Sequence, residues 1–141
     1  MRSTPRARAT LAAVVAVVAT VSLCATLGAT REHAASILDF DVWMRAIDKH
    51  SVDVQKNIDA RRTDAAVADA RELARLYGLM ETYFVDDGHA DDAVTMSRSG
   101  KAFAAAIPDA LAAQDYAAAS KAAVELSHAC NDCHDVHKPF Q

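Results

Sequence analysis

The chain has 141 residues, enough for one domain and too few for two of ordinary size. It is 52% hydrophobic and 24% charged, with four Gly and three Pro. That excludes a disordered or collagen-like chain and argues against a turn-rich β-sandwich. The formal charge of −4 excludes a nucleic-acid binder with a broad basic face.

The charge is unevenly placed. Arg2, Arg6 and Arg8 precede the apolar run LAAVVAVVATVSL, and the first acid is Glu32. A basic start, a short apolar core and the small exit residues Thr26 and Gly28 read as a secretion signal cleaved before Ala29. Residues 1–29 are thus expected to be an address and residues 30–141 the working domain. The alternatives are an uncleaved anchor and a lipidated Cys24. All three readings export the domain. Setting aside residues 1–29, which hold three arginines and no acid, leaves 12 basic against 19 acidic residues, a net of −7.

From about residue 36 the pattern is helical throughout. Ile37, Phe40, Met44, Ile47, Ser51, Val54 and Ile58 step by three and four, giving one apolar seam on a first helix. Arg61-Arg62-Thr63-Asp64 breaks it, with Thr63 as N-cap of the next helix. The second stripe is Val67, Ala70, Leu73, Tyr77, Met80 and Phe84, ending at Gly88 as a left-handed cap. The third begins near Ala90, with Asp91 and Asp92 in its first turn. It carries Ala93, Met96, Gly100, Phe103 and Ile107, and Pro108 is expected to kink or end it. Asp115 caps a fourth helix, whose seam is Tyr116, Ala119, Ala123, Leu126, Cys130, Cys133 and His137. No segment alternates with period two. The expected fold is all-α, an antiparallel four-helix bundle whose Ala-rich seams leave a core thin in large side chains. A large apolar prosthetic group would fill such a core.

The chemical signal is Cys130-Asn131-Asp132-Cys133-His134. C-x-x-C-H is the attachment motif of c-type haem. Residues three apart on a helix share a face, so the two thiols meet two vinyl groups of one macrocycle. His134, four residues from Cys130, offers an imidazole to the iron from the same side. A random chain of this length contains the pattern with a probability on the order of 10⁻³. A redox C-x-x-C normally opens a helix after a strand, and this chain offers none. A zinc site would take Cys130, Cys133, His134 and His137 from one helix, whereas tetrahedral sites usually draw on two elements.

The motif's place near the C-terminus, the Gln114-Asp115-Tyr116-Ala117-Ala118-Ala119 lead into the fourth helix and the four stripes together resemble the class II c-type cytochromes: cytochrome c′ and its low-spin, Met-ligated relatives. The resemblance covers roughly residues 36–141. It implies a left-handed four-helix bundle with one covalent haem c near one end, a periplasmic location and often a homodimer. It also implies that the residue facing the iron from the first helix decides function. A Met there gives a six-coordinate electron carrier; an apolar residue leaves five-coordinate iron that binds NO or CO.

Met44 matches that distal position. Its other reading is plain core packing. His50 is the rival ligand, one step off the seam. Met80 and Met96 are read as core. Arg45 is placed to pair with a haem propionate or to be a solvated helix-face cation. Trp43 packs on the haem edge or serves a dimer face. His33, His89, His128 and His137 take no ligand role. No catalytic acid–base pair or nucleophile is visible, so no enzyme is expected. The expected function is periplasmic electron transfer to a redox partner protein, with a gas-binding cytochrome c′-like role as the alternative. The acidic surface favours a basic partner. No nucleic acid is involved, and a membrane only if the N-terminal segment is retained.

Overall fold

The computed structural model describes residues 35–88 and 90–137. These form four helices and no strand: α1 (Ile37–Asp59), α2 (Thr63–Asp87), α3 (Asp91–Ala112) and α4 (Tyr116–His137). No helix among the described residues is long and apolar enough to cross a membrane. Residues 1–29, expected to be the signal, with Cys24, and also His33 and His89, lie outside the described residues.

Each helix has a local reason to start or stop. Ser36 caps α1 through a reciprocal box: Asp39 N–H donates to Ser36 Oγ, and Ser36 N–H donates to the Asp39 carboxylate at 2.8 Å. Gly88 ends α2 at φ 70°. Asp115 Oδ1 accepts from the Ala118 amide and starts α4. Thr63 is not the cap its sequence suggested. It is already the first residue of α2, behind Arg62, and its hydroxyl meets Tyr116 Oη at 2.7 Å. Pro108 does not end α3, which runs on to Ala112.

Two cross-links set the register. Gln55 Nε2 donates to Ser120 Oγ at 3.2 Å, so the end of α1 lies beside the start of α4. His137 Nε2 and Asp92 Oδ2 meet at 2.9 Å, joining the end of α4 to the start of α3. The helices therefore alternate in direction, each close to its chain neighbours, with α1 and α4 closing the ring and the diagonal pairs farther apart.

The core follows the stripes. Ile47, Val54, Ile58, Ala70, Leu73, Tyr77, Met80, Ala104, Ile107, Leu111, Ala119, Ala123 and Leu126 are buried in one cluster. Much of it is alanine, which lets helices approach closely. Gly100 carries this furthest: a Cβ there would lie 2.4 Å from Cε1 of the Tyr77 ring, so α2 and α3 meet by seating that ring on the glycine. The first turn of α1 departs from the expected seam. Ile37 is 67% exposed and Leu38 74%. Phe40 is the residue of that turn that packs inward, on Tyr83 and Phe84 with ring centroids 4.9 and 5.5 Å away, and full burial begins at Ile47.

Candidate functional site

The α1–α4 pair is the least closely packed of the four neighbouring pairs. Between these two helices lies a cleft of about 1000 Å³, floored by Tyr77 and Met80 of α2 and by Met96 and Ser97 of α3. That volume is at the upper end of ligand sites. Its α1 wall runs from Met44 to Ala60. Its α4 wall carries Cys130, Cys133 and His134.

The register explains why Met44 and the motif share this cleft. Gln55 lies beside Ser120. Both helices rise 1.5 Å per residue. Eleven residues back along α1 is Met44, and eleven residues on along α4 is Asn131, in the middle of the motif. Met44, Cys130, Cys133 and His134 are thus brought to one end of one cleft. Met80 and Met96, read from the sequence as core, also line it.

The two thiols differ in surroundings, although both are free and half-buried. Cys130 Sγ lies 3.0 Å from Tyr77 Oη, within hydrogen-bond range. Tyr77 is 5% exposed. Burial, then the charge and hydrogen bond of Cys130, raise its phenol well above the usual tyrosine range, so it stays protonated. Burial raises the Cys133 thiol as well, with Cys130 and Asp92 adding to the effect. His134 is exposed on the same helix and borders the cleft.

Two hydroxyls in the cleft wall, those of Ser51 and Ser97, are buried without a hydrogen-bond partner. Ser97 is only 2% exposed. Both residues line the cleft, and each hydroxyl oxygen is covered by its surroundings. The donor set suits a haem: two thiols three residues apart, an adjacent imidazole, a thioether on the facing helix and apolar walls.

Other expected residues fall elsewhere. Arg45 is exposed and ion-paired with Asp41 one turn earlier, and it does not line the cleft. His50 is turned toward α2, where its Nδ1 lies 2.8 Å from Asp69 Oδ1, so it is not a rival ligand in this cleft. Trp43 packs against the core cluster and is not part of the cleft wall. His128 does line it. His137 is held by Asp92 and packs its ring near Phe84, centroids 6.2 Å apart. Among the described residues no three His, Cys, Asp or Glu side chains are gathered as a metal site, so the zinc alternative finds no support. Sequence reasoning missed Tyr77, Gly100 and Ser97 as site residues, reading the first two only as seam positions. No spacing signal marks them, because their roles come from the meeting of helices far apart in sequence.

The chain matches no protein-family model, no curated protein and no solved structure.

Proposed function

We propose that this chain is an exported c-type cytochrome that carries one covalent haem c and transfers single electrons in the periplasm. One observation carries the reading: the C-x-x-C-H motif opens onto a cleft of about 1000 Å³ whose facing wall presents Met44 at the level of the motif. Cys130 and Cys133 would hold the macrocycle through thioether links, and His134 and Met44 would be the residues offered to its iron. When bound, the haem supplies the one-electron redox change. Ile47, Met80 and Met96 keep water from that end of the cleft and lower the local dielectric, one of the levers on potential. The acidic domain docks on a basic redox partner. The class resemblance adds a homodimer as the expected assembly.

The test is direct. Produced in a host that matures c-type cytochromes, the mature chain should gain the mass of one haem, give a pyridine haemochrome and hold its haem in acid–acetone. Colourless protein or extractable haem refutes the reading.

A five-coordinate, gas-binding haem of the cytochrome c′ kind is the second reading. The buried, unpartnered Ser97 hydroxyl beside Met96 favours it, because it offers a hydrogen bond to a small polar ligand inside the cleft. A high-spin ferric spectrum with ready CO or NO uptake by the native protein would decide for it.

A further inference from the structure

We infer that Lys56, with Ser51, forms a carboxylate-binding end of the cleft, which receives the haem propionates. The inference rests on the haem reading above, and it names a residue where the sequence had pointed to Arg45.

The cleft has two chemically distinct ends. One holds Cys130, Cys133, His134, Met44 and Met96. The other is walled by Ser51, Gln55, Lys56 and Asp59 of α1 and by Ala123 and Val124 of α4. Along α1 the step from Met44 to Lys56 is twelve residues, ~18 Å by helical rise. In a haem the two propionates leave from the edge opposite the two vinyl groups. Thiols at one end therefore send the carboxylates toward the other.

A carboxylate drawn into a partly apolar cleft needs a cation or hydrogen-bond donors. Lys56 is the only lysine or arginine among the described residues that line the cleft. Its ammonium has no hydrogen-bonded or ion-paired partner among the described residues. The neighbouring cations of α1 are taken: Arg45 by Asp41, and Lys49 by Asp53 at 2.7 Å. A flexible four-carbon stem with three donors suits a ligand at the mouth of a cleft. Ser51 Oγ, buried and unpartnered on the same wall, supplies a further donor. The acidic residues here count against a second carboxylate of the chain's own. Asp59 already accepts from Gln55 Nε2 at 2.9 Å, and Asp48 borders the cleft nearer Met44.

The experiment uses the full chain with its thiols reduced. The probes are iron mesoporphyrin, whose ethyl groups cannot take up a thiol, and its dimethyl ester, which has no carboxylates. Affinity is read from quenching of Trp43, the one tryptophan in the chain. The native chain should bind the free acid at least about tenfold more tightly than the ester, the factor expected of one charge-assisted hydrogen bond. Lys56→Gln should erase that preference while leaving ester affinity unchanged, and Lys56→Arg should restore it. Ser51→Ala should reduce it in part. An acid-over-ester ratio that survives Lys56→Gln overturns the inference and leaves the haem reading standing. Failure of the native chain to bind either porphyrin also overturns the inference, while the haem reading stands or falls on the covalent mass and the acid–acetone test.

Discussion

Two glycines inside helices make opposite predictions, and together they test how α2 and α3 meet. At Gly100 an added Cβ would stand 2.4, 2.6 and 2.7 Å from three atoms of the Tyr77 ring. Ordinary contact begins at 3.4 Å, so the ring or the helix must retreat by about 1 Å. The ring is not free to do so cheaply. Tyr77 is 5% exposed, and its hydroxyl is 3.0 Å from Cys130 Sγ. Overpacking of this kind costs ~1–3 kcal/mol. Loss of the hydrogen bond with its hydroxyl left buried adds ~1–2 kcal/mol. The better helix propensity of alanine returns ~1 kcal/mol. Gly100→Ala should therefore destabilise by ~1–4 kcal/mol. For a domain of this size that lowers Tm by ~5–30 °C. At Gly78 the added Cβ meets only the flexible end of Lys101, at 3.7 and 3.8 Å. Gly78→Ala should gain up to ~1 kcal/mol. Urea titrations followed by circular dichroism measure both variants. If Gly100→Ala is as stable as the native chain, or both substitutions stabilise equally, then α2 and α3 do not close on the Tyr77 ring as described.

Further expectations address the ligand, a loop and acid stability. Met44→Ala should turn a low-spin ferric spectrum high-spin, remove the charge-transfer band of a Met-bound haem and open the iron to CO; its packing cost is ~2 kcal/mol for a half-buried side chain. An unchanged spectrum would reduce Met44 to packing. Gln114, between α3 and α4, holds φ at 59°, where an L side chain is strained, so Gln114→Gly should stabilise by ~1 kcal/mol in the same urea assay. Glu81 of α2 accepts from Arg98 of α3 at 2.7 Å and from Lys101 at 3.4 Å. The Arg98 bond is the largest influence on its carboxyl and, with Lys101, holds it below the usual range against the opposing effect of desolvation. A carboxyl depressed in the folded state stabilises above its unfolded value and loses that contribution as pH falls through the folded one. Stability should thus decline below about pH 4, and Glu81→Gln should flatten that decline. An acid limb identical in the variant would show that the pair contributes nothing.

What the sequence disclosed, and what it hid, follows from where each signal lives. Stripe periodicity is local, so four helices could be read directly, down to Gly88 and Asp115 at their ends. The motif is local too, since Cys130, Cys133 and His134 need only a helix to share a face. Met44 was legible because a resemblance supplied the partner helix; the Gln55–Ser120 link gives the same level independently. Arg45 shows the limit of sequence adjacency. It follows Met44 directly, yet a helix turns about 100° per residue, and that turn carries Arg45 out to Asp41 and away from the cleft. Lys56 is three turns along from Met44, and no nearness in sequence recommended it. Tyr77 and Gly100 lie 23 positions apart on different helices, and nothing local joins them. Their meeting is a property of the α2–α3 packing, and it places a buried hydroxyl on one thiol of the motif and not on the other. The motif's two sulfurs look equivalent in the sequence, whereas the fold makes them different. Cys130 meets Tyr77 of α2, the helix diagonal to its own. Cys133 makes no side-chain hydrogen bond among the described residues, and burial and the charge of Asp92 on α3 act on it instead.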